Sequence, residues 1–117
     1  ALVRSLGRYA EAEALYRRAL ATRQKVLGPE HADTLSSMDS LAATLRLQRR
    51  NAEAETLYRQ VLQARERLLG AEHRDTVSSL NNLAVTLQAE RRYVEAEPLV
   101  RRAVAITEKT LGPDHPD

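Results

Sequence analysis

Three histidines are the first residues whose type and spacing could do chemistry. His31, His73 and His115 recur at intervals of 42 residues, each three positions after a glycine. Zinc sites in proteins usually take ligands in closely spaced pairs that include cysteine, and this chain has no cysteine. The wide, regular spacing therefore indicates successive copies of one loop, in which each histidine makes polar contacts with a neighbouring helix end. We expect no metal and no other cofactor.

Paired carboxylates are the second candidate for chemistry. They form Glu-Ala-Glu motifs with the same interval, at residues 11–13, 53–55 and 95–97. Each motif begins a predicted helix, where carboxylates favour the positive end of the helix dipole. We interpret them as helix-start residues, not as a general acid and base. The chain also lacks a glycine-rich phosphate loop and a nucleophile elbow, so we expect no enzyme activity.

Composition and charge narrow the function classes further. The net charge is +2, and the 16 arginines alternate with glutamates at helical i,i+4 spacing. Three such pairs are Glu13/Arg17, Glu55/Arg59 and Glu97/Arg101. This pattern indicates exposed helix faces, so we expect no nucleic-acid binding. No apolar run approaches the roughly 20 residues of a membrane span, and no signal-peptide pattern is present. We therefore expect no membrane partner and a cytoplasmic location.

Segments that lie 42 residues apart are similar in sequence, which predicts a repeat array. The residues are mostly strong helix formers, with only four Gly and four Pro, which predicts an all-α fold. Apolar residues recur at the spacing of one helix face. This stripe is Leu35, Met38, Leu41, Ala42 and Leu45, copied by Val77, Leu80, Leu83, Ala84 and Leu87. A helix–turn–helix unit of this kind cannot bury its stripe alone and must stack on neighbours.

The glycines and the stripe set the predicted boundaries. Helices are expected over residues 9–26, 32–49, 50–68, 74–91 and 93–110, with Gly28 and Gly70 in the left-handed conformation at helix ends. Asp33 and Asp75 are expected to cap the following helices or to favour their dipoles. Residues 1–6 are read as the end of a helix whose front half is missing, followed by a turn at Gly7-Arg8. The chain is thus one array over 1–117, with a partial repeat at 1–26, repeats at 27–68 and 69–110, and the start of a fourth at 111–117.

Three segments together resemble a known repeat family. They are Leu80-Asn81-Asn82-Leu83-Ala84, Arg92-Tyr93-Val94-Glu95-Ala96-Glu97-Pro98-Leu99 and Leu111-Gly112-Pro113-Asp114-His115-Pro116-Asp117. They are similar to the 42-residue tetratricopeptide repeat (TPR) of kinesin light chains and nephrocystin-3-like proteins. The resemblance implies tandem helix–turn–helix repeats stacked as a right-handed α-solenoid. It also implies that the first helix of each repeat lines a concave groove that binds a peptide or a partner helix.

The resemblance further implies which residues line the groove. The candidates are Arg4, Ser36, Asp39, Ser40, Arg46, Ser78, Asn81, Asn82, Val85 and Gln88. Asparagine can both donate to and accept from a peptide backbone, and arginine can bind a carboxylate with two parallel hydrogen bonds. The sequence departs from the family pattern where Asp39-Ser40 stands in place of a second Asn-Asn pair, and where Arg49 and Arg91 stand in place of the usual turn glycine.

Two functions fit this sequence. The first is a protein–protein interaction scaffold that binds its partner in the groove. The second is a structural spacer or self-association array that acts through its ends or its convex face. Neither end carries a polar capping face, and Val100, Val104 and Thr107 are expected to lack a packing partner. We therefore expect a piece of a longer array that associates end to end.

Overall fold

A computed structural model of the chain consists of five α-helices joined by short loops. It describes residues 2–111, with side chains for residues 7–110. The helices are α1 (Leu2–Leu27), α2 (Ala32–Leu47), α3 (Asn51–Leu69), α4 (Arg74–Ala89) and α5 (Tyr93–Leu111). The chain divides into two compact units, Ala1–Val61 and Leu62–Asp117. The division falls within α3, so each unit contains part of that helix.

In the first unit, α1 packs against α2. The apolar stripe of α2 is the buried face, as the sequence predicts, and Leu41, Ala42 and Leu45 are almost completely inaccessible to solvent. The first part of α3 adds buried Ala54 and Tyr58. Burial of these apolar side chains, at about 25 cal/mol per Å² of surface removed from water, is the main contribution that holds the helices together.

In the second unit, α4 packs against α5. Leu80, Leu83, Ala84 and Leu87 of α4 are buried, and Ala96 and Ala103 are the buried positions of α5. Val77, which the pattern places on the same stripe, is only partly buried. Because the buried residues of α5 are alanines, the two helix backbones can approach closely.

The turns after α2 and α4 have the same geometry. Gln48 and Glu90 cap the two helices, and the next residues, Arg49 and Arg91, have φ angles of 64° and 61°. The amide of Arg50 donates to the carbonyl of Leu45 at 2.9 Å, and the amide of Arg49 donates to Arg46 at 2.8 Å. These are the two bonds of a Schellman motif, which usually has glycine in the left-handed position. Here arginine occupies that position in both turns.

A carboxylate of α1 joins this turn to the first helix. Glu13 accepts hydrogen bonds from Gln48 at 3.0 Å, from Arg50 at 2.6 Å and from Arg17 at 2.8 Å. The side-chain hydrogen bond from Gln48, followed by that from Arg17, lowers the pKa of the Glu13 carboxyl. Glu13 is therefore a structural anchor for the α2–α3 turn.

The predicted turn at Gly7-Arg8 is wrong, because α1 runs without interruption from Leu2 to Leu27. A helical hairpin is stable only when both arms bury enough surface to offset the backbone entropy of the turn. A six-residue arm is less than two helical turns. Each residue added to an existing helix gains a backbone hydrogen bond at a low cost in backbone entropy. Glycine can adopt the helical conformation as well as that of a turn. The helix therefore continues through Gly7.

None of the helices in the described part of the chain is both long enough and apolar enough to cross a membrane.

Candidate partner-binding surface

The loops that precede α2 and α4 position both helices in the same way. The preceding helices end at Gly28 and Gly70, which both have a φ of 94°, as predicted. His31 and His73 then adopt extended backbone conformations and act as the N-caps. The Nδ1 atom of each histidine accepts a hydrogen bond from the backbone amide two residues later, at 3.0 Å.

This geometry shows what the predicted loop histidines do, and it decides between the two predicted roles of the aspartates. Asp33 and Asp75 lie within the first turn, where their carboxylates favour the helix dipole. The aspartates are not the caps. The Nδ1 atoms of the histidines cap the helices by accepting hydrogen bonds from the backbone amides of Asp33 and Asp75. His115 lies outside the described residues.

Sequence reasoning missed two further contacts at each joint. The hydroxyls of Thr34 and Thr76, both completely buried, donate to the carbonyls of Gly28 and Gly70 at 2.8 Å. These bonds tie the start of each helix to the end of the preceding one. The spacing of 42 residues between the two threonines was the available signal for this contact.

An arginine makes the second missed contact. Arg23 donates to the hydroxyl of Ser37 at 2.7 Å and to the carbonyl of Asp33 at 3.1 Å. Its copy, Arg65, donates to Ser79 at 2.8 Å and to the carbonyl of Asp75 at 3.4 Å, and it is 8% exposed. Both arginines therefore fix the angle at which the next helix begins.

The candidate residues of α2 lie on its partly exposed side. Ser36 is exposed, whereas Asp39, Ser40 and Arg46 are partly buried. Asp39 and Arg46 are seven residues apart, which places them two turns apart on the same face of the helix. The first unit therefore brings an acid and a base onto one face. The side chain of Arg4, the remaining candidate of this unit, lies outside those that are described.

Tyr58 of α3 completes a polar cluster on this side of α2. Its side chain is 2% exposed, and its hydroxyl is hydrogen-bonded to Arg46. Burial raises the pKa of Tyr58, the bond from Arg46 opposes that increase, and the negative charge of Asp39 adds to it. The tyrosine therefore stays neutral beside the guanidinium of Arg46. The sequence alone did not indicate this contact.

The candidate residues of α4 form a neutral surface. Ser78, Asn81, Val85 and Gln88 are exposed, and Asn82 is partly buried. Asn81 lines a shallow cavity of about 200 Å³ between α4 and α5, with Ala103, Val104, Thr107 and Glu108. An amide therefore borders an apolar depression with one carboxylate at its edge. Of the predicted residues of α4, this cavity includes Asn81 alone.

The equivalent positions of α2 and α4 differ in charge. Asp39, Ser40 and Arg46 correspond in the 42-residue repeat to Asn81, Asn82 and Gln88. The backbone carbonyls of Ser40 and Asn82 accept hydrogen bonds from the hydroxyls of Thr44 and Thr86, at 2.9 Å in both cases. The helix backbone thus makes the same contact in both copies, while the side chains at these positions change from an acid, a hydroxyl and a base to three amides.

Residues 7–110 contain no cluster of three or more His, Cys, Asp or Glu side chains that could hold a metal ion.

Comparison with known sequences identifies the class of protein. Residues 1–67 match one family profile described as Tetratricopeptide repeat, and residues 76–117 match a second profile with the same description. The chain belongs to the tetratricopeptide repeat family. No curated protein shows significant sequence similarity to it.

Comparison with solved structures shows which type of TPR array the chain resembles. It is similar to the nearly identical TPR-like repeats of a putative kinesin light chain from Podosopora anserina, with 34% identity and a TM-score of 0.85 over 94% of this chain and 52% of that one. A variant of that protein gives 33% identity and the same TM-score and coverage. BtubC (BKLC) from P. vanneervenii is 26% identical, with a TM-score of 0.83 over 95% of this chain and 43% of its own.

This chain therefore spans about half the length of the solved relatives. It is a TPR array of the kinesin light chain type, with the fold of an all-α helical repeat solenoid. Tetratricopeptide repeats are in general protein–protein interaction scaffolds, and folds of this kind are typically non-enzymatic.

Proposed function

We propose that this array binds a peptide or a partner helix on the polar faces of α2 and α4, the helices that line the groove in the resembled family. The observation that carries the proposal is that these helices keep polar side chains accessible beside an apolar stripe that is buried except at the partly buried Val77. Packing does not require Ser36, Ser78, Asn81 or Gln88 to be polar. Those side chains are therefore available to a partner.

The two faces suggest different contacts. Arg46, which lies beside Tyr58, can bind a carboxylate of the partner with two parallel hydrogen bonds. Asn81 and Asn82 can donate to and accept from a peptide backbone. We also propose the repeat boundaries given above, with repeats at 27–68 and 69–110, and a cytoplasmic location based on composition.

The experiment is a peptide-array screen with the wild-type chain, followed by titration of the peptides that bind. Arg46→Glu and Asn82→Ala are each expected to weaken binding about tenfold. This is the effect expected from the loss of one charged or bidentate hydrogen-bonded contact. Arg18→Glu is the matched control for charge, because Arg18 is exposed and lies on α1, which is neither of the two candidate helices. Circular dichroism checks that every variant stays helical. Equal affinity of all variants would reject both faces as the binding surface.

A second function, self-association or a spacer role through the ends or the convex face, is favoured by a different observation. Several large apolar side chains are unusually accessible: Leu15 is 62% exposed, Val26 is 72% exposed and Val94 is 88% exposed. Exposed apolar side chains of this kind can be covered by another molecule. In the same screen, this alternative predicts that no peptide depends on Arg46 or Asn82.

A further inference from the structure

The side of α5 that carries Val104 and Thr107 repeats a surface that is buried in α3. In the 42-residue period, these two residues correspond to Leu62 and Arg65. Leu62 is 7% exposed and Arg65 is 8% exposed, whereas Val104 is 50% exposed and Thr107 is exposed. The same register positions are therefore covered in one helix and accessible in the other.

The helix that covers this side of α3 is α4. Arg65 donates to the hydroxyl of Ser79 at 2.8 Å and to the carbonyl of Asp75 at 3.4 Å, so the first turns of α4 lie against the C-terminal part of α3. Arg23 of α1 makes the equivalent contact with Ser37 of α2. In both described joints, this side of the helix holds the start of another helix.

A groove lies at the corresponding place on α5. It consists of the cavity beside Asn81 and a second cavity of about 210 Å³, in which Val77 of α4 faces Ile106 and Thr110 of α5. Thr107 lines both cavities and so joins them. We call this continuous depression the α4–α5 groove.

The chemistry of the α4–α5 groove differs from that of the α3–α4 joint at one position. Thr107 stands where the joint has Arg65. Its hydroxyl donates to the carbonyl of Ala103 in its own helix, at 2.8 Å. A helix in the groove therefore does not need an acceptor where α4 has Ser79. The space that a guanidinium would fill is open to an apolar side chain.

The charges at the rim favour one orientation of such a helix. Glu72 forms an ion pair with Lys109, and Arg74 adds a positive charge beside the larger cavity. Glu108 adds a negative charge beside the other cavity. A helix that lies on α5 as α4 lies on α3 would begin near Arg74. Acidic residues in its first turn would interact favourably with both this arginine and the helix dipole.

A second folded copy of this chain does not provide such a helix from α2 or α4. Their apolar stripes are already buried within their own units, and Ser37 and Ser79 already accept hydrogen bonds from arginines. We propose that the α4–α5 groove binds an amphipathic helix of a partner protein, which has an acidic first turn and a large apolar side chain where α4 has Ser79. This proposal does not rest on binding at the polar faces of α2 and α4.

The test uses two fluorescently labelled peptides with the sequence of residues 74–89, one unmodified and one with Ser79→Leu. Fluorescence anisotropy measures their binding to the intact chain. The Ser79→Leu peptide is expected to bind about tenfold more tightly than the unmodified peptide, because an apolar side chain enters the groove in place of a hydroxyl. Equal affinities, tighter binding of the unmodified peptide or binding of neither peptide would overturn the proposal.

Thr107→Arg in the intact chain should reverse this preference. The new guanidinium can donate to the serine of the unmodified peptide, whereas it loses solvent without gaining an acceptor beside leucine. Because Thr107 is exposed, the variant should keep the helicity and the Tm of the wild type. A chain with Thr107→Arg that still prefers the Ser79→Leu peptide would contradict the assigned role of this position.

Two further variants locate the bound peptide. Val104→Glu places a charge in the groove and should weaken binding of the Ser79→Leu peptide about tenfold or more. Val94→Glu is the matched control, because Val94 is 88% exposed on the same helix and lines neither cavity. Arg46→Glu, which tests the polar face of α2, should leave the affinity unchanged. Equal effects of the two valine variants, or a loss with Arg46→Glu, would place the peptide elsewhere and overturn the proposal.

Discussion

At the scale of single residues, four positions with positive φ within residues 2–111 mark where α1, α2, α3 and α4 end. Gly28 and Gly70 occupy two of them, and Arg49 and Arg91 occupy the others. Glycine adopts this conformation without steric cost, whereas a residue with a Cβ atom is strained there. The arginine turns are maintained because each is closed by the two hydrogen bonds of a Schellman motif.

Substitution of Gly70 tests this backbone requirement. A Cβ atom built on Gly70 meets no other atom within 4 Å, so any cost comes from the φ of 94° and not from a clash. Gly70→Val is therefore expected to lower the free energy of unfolding by about 1 kcal/mol or more. Urea denaturation followed by circular dichroism measures the change.

Gly7→Ala is the matched control for Gly70→Val. A Cβ atom at Gly7 also meets nothing within 4 Å, but Gly7 lies inside α1. Alanine there should raise the stability by about 0.5–1 kcal/mol, because it loses less backbone entropy on folding. Similar effects of the two substitutions, with the same sign, would contradict the assignment of both sites.

At the scale of the elements, buried polar contacts join α3 to α4 in the second unit. The guanidinium of Arg65 and the hydroxyl of Thr76 cross the joint, and both side chains are almost fully buried. A buried donor that loses its acceptor costs more than the average hydrogen bond contributes. The angle between the two helices should therefore depend strongly on two acceptors, the hydroxyl of Ser79 and the carbonyl of Gly70.

Ser79→Ala tests this dependence. It removes the hydroxyl that accepts from Arg65 at 2.8 Å and leaves part of a buried guanidinium without that acceptor. The expected loss is about 1–3 kcal/mol of unfolding free energy, measured by chemical denaturation. Ser78→Ala, one residue earlier on the exposed side of α4, should change it by less than about 0.5 kcal/mol. Equal losses from both would show that the Arg65 contact carries no stability.

Glu13 links stability to acidity at the turn between α2 and α3. Its pKa is lowered first by the hydrogen bond from Gln48 and then by that from Arg17. A carboxyl whose folded-state pKa is below its unfolded value contributes its full stability above the unfolded value, about 4.3 for glutamate, and loses it as the pH falls through the folded value. The wild type should therefore lose more stability between pH 6 and pH 3 than Glu13→Gln.

Urea denaturation at both pH values measures this difference, and Glu11→Gln serves as the control. Glu11 is exposed two residues before Glu13 and makes no ion pair with any described residue. Its variant should follow the wild type. If Glu13→Gln loses as much stability between pH 6 and pH 3 as the wild type, the hydrogen bonds of Glu13 do not stabilise the turn.

At the scale of the whole molecule, the repeat period predicts most of the architecture. It placed the starts of α2, α4 and α5 on the correct residues, because the apolar stripe and the glycines repeat together. The turn at Gly7 was wrong, since whether a short arm finds enough packing surface is not a local property of the sequence. The cap at His31 and the Tyr58–Arg46 contact were not resolved for a related reason: both depend on atoms that folding brings together.

Exposed apolar side chains predict concentration-dependent association of the 13.1 kDa chain. A net charge of +2 provides little repulsion between copies. Static light scattering over a concentration series should show a molar mass that rises above that of the monomer. Leu15→Glu together with Val94→Glu should reduce the increase, whereas Glu11→Gln should not. A constant monomeric mass at all concentrations would exclude self-association.

The joint between α3 and α4 is also encoded almost entirely by one short segment. Its helix stop at Gly70, its start at His73 and the bonds of Arg65 and Thr76 all fall within residues 65–79. The same contacts recur within residues 23–37. The segment therefore has the properties of a portable connector: grafted between two helices of a designed bundle, it would bring its own termination signal, initiation signal and crossing geometry.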